Sequence, residues 1–268
     1  MMTRMSSPIR RFHHPLNGFL APGLAACLMC MVLLLMAPMS VTALPVDGLY
    51  GQVVAVDNQS ESERQRAYRD AFARVIVKVT GERRWLEHPQ IRSALNLAGQ
   101  YVAEVSYRSA AAGGNLDVRF DQSLIDDLLY RAEVPVWDRN RASVLLWVTV
   151  QMPDGSRQML GSSSDHVLLE QAREFATERG VPVLRSAGER YGADSVLAGR
   201  LLITPDDEVV GLWQFIFRDQ IHVFDHVDVT ADSYMDVPLD EVTTRLAEHF
   251  GLVLSEFERE DEVTLRIE

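Results

Sequence analysis

The segment that most constrains how this chain can fold is its first 43 residues, which have the pattern of a secretory signal. Three arginines precede an apolar run over residues 24–36, and residues 41–43 form a small-residue exit. Both cysteines of the chain, Cys27 and Cys30, lie inside this segment. Cleavage therefore leaves a cysteine-free chain that has to fold by packing alone, without disulfides, and it removes thiol nucleophiles and cysteine-ligated metal sites from consideration.

Two alternatives stay open for the same segment. The apolar stretch over residues 19–37 approaches the length of about 20 residues that spans a bilayer, so an uncleaved anchor would tether the protein to the inner membrane. The sequence LAAC at residues 24–27 is similar to a lipoprotein box, although the strongest apolar stretch follows Cys27 instead of preceding it. We expect a periplasmic protein with no membrane span after signal cleavage.

The charge of the chain limits its partners. The net charge is −12, and the signal holds three arginines and no acidic residue, so the mature chain carries −15. Such acidity argues against nucleic acid or an anionic membrane surface as the main partner. The only lysine, Lys78, falls on the polar side of a predicted helix, so we do not expect a Schiff-base lysine.

The first predicted domain covers residues 47–133. A strand over 49–56 is followed by a helix in which Tyr68, Phe72, Val75 and Val79 recur on one face, and Gly81 is placed to end that helix. A shorter helix begins at Pro89 and ends before Gly99. Two strands over 101–107 and 116–120 form a hairpin, and Asp121 caps a further helix. This order predicts a small α+β layer.

The second predicted domain covers residues 134–257, before a charged tail at 258–268. An apolar strand over 144–150, expected to be covered on both faces, a helix from about 164 to Gly180, and a strand over 181–184 form a βαβ unit. An antiparallel meander follows, and Pro238 opens a closing helix. The fold class is therefore α/β (α+β), with two small layered domains, the second a βαβ unit followed by a meander and a closing helix.

Three residues are candidates for binding. His222 and His226 face the same side of a predicted strand while Asp225 faces the other, so a metal site would need a ligand such as Asp228, and a polar strand that faces solvent is the simpler interpretation. Trp137 lies at the predicted domain junction, where it either fills the seam between the domains or binds a partner. We predict no metal site and no cofactor.

Catalytic patterns are weak in this sequence. The segment from Ser162 to His166 combines hydroxyls, a carboxylate and an imidazole, but it lacks a nucleophile elbow, and Ser164 or Asp165 is better explained as a helix N-cap. The paired acidic residues, such as Asp126 with Asp127, are typical of a solvated surface. No residue is predicted to be catalytic.

Three stretches resemble a family of exported proteobacterial proteins, domain-of-unknown-function family two-thousand-sixty-six. They read VIVKVTG at residues 75–81, VPVW at 134–137 leading into VLLWV at 144–148, and RYGADSVLAG at 190–199. The family has no assigned activity. The second half is also similar to modules of periplasmic accessory proteins, such as the amino-terminal domain of the Tol system's β-propeller protein and the lipoprotein activators of penicillin-binding proteins, which implies docking onto envelope proteins.

These observations favour an exported, non-catalytic binding or accessory module of the cell envelope, with another envelope protein as its partner and an oligomeric state that the sequence leaves open. The alternatives are an envelope hydrolase and the binding of a small ligand between the two domains.

Overall fold

The computed structural model describes residues 44–109, 114–161, 166–184 and 193–257. The parts of the chain that lie outside the described residues are the predicted signal, residues 110–113 of the hairpin linker, residues 162–165 of the Ser162 to His166 loop, the segment 185–192, and the charged tail 258–268. Among the helices that are described, none is long and apolar enough to cross a membrane.

The first half of the chain forms a helix-covered sheet. Its elements are β1 (Leu44–Pro45), β2 (Gly51–Val56), α1 (Glu61–Thr80), a 3-10 turn (Arg83–Glu87), α2 (Pro89–Leu95), a second 3-10 turn (Ala98–Tyr101), β3 (Val102–Ser109), β4 (Gly114–Phe120) and α3 (Gln122–Arg131). Strands β2, β4 and β3 lie side by side in that order, all antiparallel, and α1 packs against them.

Local signals in the sequence explain the ends of these helices. The Ser60 side chain accepts a hydrogen bond from the backbone N–H of Glu63 at the start of α1, and Gly81 ends the helix with a left-handed φ of 80°. The Asp121 carboxylate caps α3 in the same way. The predicted apolar stripe, hairpin and caps are confirmed, whereas α2 ends at Leu95, earlier than Gly99, because a 3-10 turn replaces its last part.

The second half is built on a larger sheet. Its elements are β5 (Asn140–Arg141), β6 (Val144–Gln151), β7 (Arg157–Leu160), α4 (Val167–Arg179), β8 (Val183–Leu184), β9 (Ser195–Ile203), β10 (Val209–Phe217), β11 (Gln220–Asp228), α5 (Asp236–Phe250) and α6 (Leu254–Phe257). The strand order is β11-β10-β9-β6-β7, and β8 pairs in parallel with the start of β6.

The predicted βαβ unit is present, with one strand that the sequence did not reveal. After a turn, β7 returns antiparallel beside β6 before α4 begins. The expectation that β6 is covered on both faces is wrong for its second half, since Trp147, Thr149 and Gln151 are only half-buried. Helices α4 and α5 contact each other, and their apolar side chains join the same core cluster as one face of the sheet.

The α+β class with layered sheets is confirmed, and the described residues belong to one compact unit with two hydrophobic clusters. Val134 packs in the first cluster, while Trp137 and Ala142 pack in the second. The segment over residues 134–142 therefore joins both clusters, and a domain boundary near residue 134 stays a prediction. We call the region where this segment meets the C-terminal ends of α1 and α4 the seam.

Candidate binding site at the seam

A cavity of about 900 Å³ opens at the seam. This volume lies within the range of roughly 300–1,000 Å³ that is usual for small-molecule sites. Its wall combines apolar side chains with several charged ones. The lining residues on which the argument depends are Leu49, Tyr50, Lys78, Phe120, Asp126 and Trp137.

Lys78, the only lysine of the chain, lines this cavity and is 6% exposed. The expectation that it lies on a polar helix face is wrong, because the last turn of α1 is buried on every side where it enters the seam. The ammonium Nζ donates a hydrogen bond to the carbonyl of Gly51 at 3.0 Å. Burial, with repulsion from Arg141 as a smaller cause, lowers the pKa of Lys78 to about 8. Lys78 therefore remains mostly charged at neutral pH, at a cost in stability.

Arg141 is fully buried behind the cavity wall and holds the seam together. Its guanidinium donates to the carbonyls of Lys78 at 2.6 Å, Arg179 at 3.0 Å and Gly180 at 3.1 Å, where α1 and α4 end. Helix C-termini carry partial negative charge on unpaired carbonyls, so a cation placed between two of them stabilises both. Burial, and then repulsion from Arg179, lower the pKa of Arg141 to about 9.

Arg179 is a second buried guanidinium of the seam, at the end of α4. It donates to the Gly81 carbonyl at 2.7 Å and pairs with Asp240 of α5. Burial lowers its pKa, and Asp240 opposes that effect. Sequence reasoning missed Arg141 and Arg179, although each had a signal. Arg141 lies three residues before the apolar strand β6, and Arg179 comes directly before the glycine that ends α4.

Trp137 is 1% exposed, so its indole packs in the seam and touches the cavity only at its wall. The Arg141 guanidinium lies 4.4 Å from the centre of the Trp137 ring, a cation–π distance. The backbone N–H of Trp137 donates to the Val79 carbonyl at 2.9 Å, which fixes the segment to the end of α1. The sequence left two interpretations of Trp137, a side chain that fills the seam and one that binds a partner. Its buried position matches the first, and a direct role in binding stays a prediction.

The remaining polar groups of the wall are engaged with one another. Tyr50 donates its hydroxyl hydrogen to Asp126 at 2.6 Å, and burial followed by this bond raises the pKa of Tyr50. Among the described lining residues there is no histidine, serine or cysteine. The lining does include the hydroxyl of Thr177.

His222 and His226 lie away from this cavity, on β11. As predicted, both face one side of the sheet. Residues of α5 and of the segment before it contact that side, so it is only partly open to solvent, with the side chains of His222 and His226 36% and 18% exposed. His222 Nε2 lies 2.7 Å from Arg245 Nη2 and 3.3 Å from Glu241 Oε1. The structure thus places His222 in a polar cluster with α5.

His226 lies four residues further along β11 on the same face, where its ring centre is 4.9 Å from that of Tyr234. Its Nε2 is 4.0 Å from Asp228 Oδ2, at the outer limit of an ion pair. Within the described ranges, no group of three histidine, cysteine or acidic residues could hold a metal ion. A binding role for His222 and His226 stays a prediction.

Residues 162–165 of the serine-rich loop lie outside the described residues, and the described neighbours Asp126 and Asp127 do not share one site. The N-cap of α4 is His166, whose Nδ1 accepts from the Leu168 backbone N–H at 3.3 Å, where the sequence had suggested Ser164 or Asp165. Asp126 is held by Tyr50, while its neighbour Asp127 pairs with Arg131 at 2.8 Å. The two carboxylates therefore belong to different surroundings.

Comparison with known proteins gives a match of residues 43–138 to a domain of unknown function, DUF8605. This match confirms that the chain resembles a domain of unknown function, but the family is not the one that the sequence analysis named. No curated protein matches the chain. A crystal structure described as that of an uncharacterized protein aligns with 14% identity over 41% of this chain and 98% of its own, with a TM-score of 0.21, too low to support an argument.

Proposed function

We propose that this chain is an exported, non-catalytic binding module of the cell envelope, and that it binds a small amphipathic anion in the seam cavity. The observation that carries the proposal is Lys78: a buried ammonium on the cavity wall whose hydrogen bond goes to a carbonyl, not to a carboxylate. Buried charges are normally paired, because an unpaired charge in a low-dielectric site is destabilising. An anionic ligand would supply the missing pair.

None of the acidic side chains of the wall forms a hydrogen bond or an ion pair with Lys78 among the described contacts, and each has another partner. Their partners are as follows: Asp47 pairs with Arg139 at 3.8 Å, Asp117 with Arg108 at 3.0 Å, Asp126 accepts from Tyr50 at 2.6 Å and Gln122 at 3.2 Å, and Asp138 accepts from the backbone N–H of Arg139. Behind the wall, Arg141 adds positive charge and contacts carbonyls. Glu178, which does not contact Lys78, raises its pKa, but the ammonium has no carboxylate in direct contact among the described residues, and an anion in the cavity would supply one.

The apolar part of the wall defines the rest of the ligand. The apolar side chains that line the cavity include Leu49, Phe120, Trp137, Leu252 and Leu254. An alkyl chain would gain about 25 cal/mol for each Å² of apolar surface that such a wall covers. The ligand class that fits both parts is a medium-chain alkyl carboxylate.

The binding test compares three ligands of equal chain length in a calorimetric titration: decanoate, decanol and decyltrimethylammonium. We expect decanoate to bind most tightly, because only it can form a charge-assisted hydrogen bond with Lys78. The variant Lys78→Met should bind decanoate at least about tenfold more weakly and decanol unchanged, since such a bond is worth roughly 1.5–3 kcal/mol. Arg69→Met, which removes an exposed cation from the same helix, is the matched control. Equal binding of all three ligands by the wild type would contradict the proposal.

The export and accessory parts of the proposal rest on the sequence, from the signal-like segment and the acidity of the chain. Fractionation of cells that express the tagged chain at native level should place it in the periplasm, shortened by about the length of the signal. Crosslinking in the same cells should recover a reproducible envelope protein. A full-length chain in the inner membrane would instead support the tethered alternative.

A further inference from the structure

We define the outer face of the large sheet by the outward side chains of β9, β10 and β11. In the described part of the chain, no helix packs on this face. Both α4 and α5 pack on the opposite face. The side chains alternate strictly: Leu197, Trp213 and Phe215 are buried among the helices, while their neighbours point outward. Six outward apolar side chains are 36–66% exposed, namely Leu202, Val210, Leu212, Ile221, Val223 and Val227. An exposed apolar surface of this extent marks an interaction site.

The strand register arranges this face in rows. Leu212 of β10 pairs with Arg200 of β9 on one side and with Asp225 of β11 on the other. Neighbouring strands are about 4.8 Å apart, so the two charges flank Leu212 symmetrically at opposite ends of one row. Arg200 and Asp225 are both exposed, and neither side chain has a hydrogen bond or an ion pair with the described residues. The outer face thus carries a plus and a minus charge on either side of an apolar centre.

This arrangement is complementary to itself. A two-fold axis parallel to β10, lying above Leu212, would bring the outer faces of two copies together. It would place Leu212 against Leu212 of the second copy, and Arg200 against Asp225 of the second copy, twice. An in-plane axis perpendicular to the strands would instead place each charge on its own equivalent. Only the first arrangement pairs opposite charges.

We propose that the outer face is the interface of a homodimer, in which two sheets stack face to face about an axis parallel to β10. The neighbouring rows agree with this pairing. Leu202 and Val227 flank Val210, and Ala198 and Val223 flank Gln214, so the flanking apolar side chains meet apolar ones, Val210 meets Val210, and the amide of Gln214 meets its own copy on the axis. Isologous contacts of this kind are the commonest in homo-oligomers. Stacked sheets pack about 10 Å apart with nearly aligned strands.

The expected dimer is concentration-dependent. About a dozen outward side chains per copy take part, fewer than the 20–30 residues of a standard interface, so the association is weak. It does not depend on the proposed ligand, because the cavity is lined by none of the residues of this face. Loss of ligand binding and loss of dimerisation can therefore be told apart.

The test is sedimentation velocity of the mature chain over a concentration series, with the variants Arg200→Asp and Asp225→Arg. Each variant alone places like charges opposite each other twice, and we expect its dimer dissociation constant to rise at least about tenfold. An equimolar mixture of the two variants restores both opposite-charge contacts, so it should form a heterodimer with near wild-type affinity. Recovery in the mixture also shows that each variant is folded.

Three results would overturn the proposal. The wild-type chain could stay monomeric throughout the series, which would mean that another part of the chain or a different protein covers the outer face. The single variants could dimerise as the wild type does, or their mixture could stay monomeric. In either of the last two cases, the interface is not organised about Leu212 in the manner described.

Discussion

Replacement of Lys78 by methionine should stabilise the protein at neutral pH and lose that advantage in alkali. The side chain is 6% exposed, and its pKa falls from 10.5 to about 8, mainly through burial. Each tenfold change in proton affinity is worth about 1.4 kcal/mol, so the charged form carries a penalty of roughly 3 kcal/mol in the folded state. Methionine has a similar volume and removes this penalty. The carbonyl of Gly51 loses its donor in the variant, which offsets about 1 kcal/mol of this gain in stability.

The net gain at pH 7 is therefore about 2 kcal/mol, and its pH dependence has a definite sign. Between pH values of about 8 and 10.5, the unfolded wild type holds the Lys78 proton and the folded wild type has released it. The stability of the wild type consequently rises with pH across this window, and the advantage of the variant disappears by its upper end. Urea unfolding at a series of pH values measures the free energy of unfolding of the wild type and of Lys78→Met.

Arg69→Met serves as the control, because it removes an exposed cation from the same helix and reports the alkaline titration of all other groups. Subtraction of the control leaves the contribution of Lys78. A variant that is less stable than the wild type by the same amount at every pH would refute the reasoning, since it would show that Lys78 is fully satisfied in the folded state.

Three further predictions concern the seam and the second core. Arg141→Met should lower the free energy of unfolding by about 3 kcal/mol or more. Arg141→Lys should recover only part of this loss, because an ammonium cannot bridge both helix ends. The urea midpoints of the wild type and the two variants measure these differences. Gly81→Ala should lower the free energy of unfolding by at least about 2 kcal/mol, because its φ is 80° and a Cβ would overlap Ala247 and the Trp137 ring. Gly155→Ala is the control: its φ is 83° but the space around it is open, so a thermal melt should show a loss of only about 1 kcal/mol. Tyr234→Phe should cost about 1–3 kcal/mol because the buried indole N–H of Trp213 loses its acceptor, and equal melting temperatures would contradict this.

Much of the fold could be predicted because its signals are local. The periodicity of Tyr68, Phe72 and Val75 defined α1, and Gly81 defined its end, since both depend only on neighbouring residues. The same holds for the Asp121 cap. The coverage of β6 could not be predicted, because an apolar run does not reveal whether one or both of its faces are packed, and Trp147 is half-buried.

The candidate site was predictable only in its position. Trp137 was expected at the seam and lies there, but the buried cations around it were missed. Arg141 meets carbonyls that lie 38 to 63 residues away in the chain, and Lys78 is buried because two packed layers close around one helix end. Such contacts arise from the meeting of distant elements, and no local pattern encodes them.

The central claim is that the seam cavity binds an anion through Lys78. A crystal of the mature chain soaked with an ω-bromo decanoate tests it directly, because the anomalous signal of bromine locates the alkyl end without bias. We predict one bromine peak inside the cavity, near Leu252, with the carboxylate within hydrogen-bond distance of Lys78 Nζ. A peak elsewhere on the protein, or a carboxylate turned to solvent with Lys78 still bonded only to Gly51, would contradict the account.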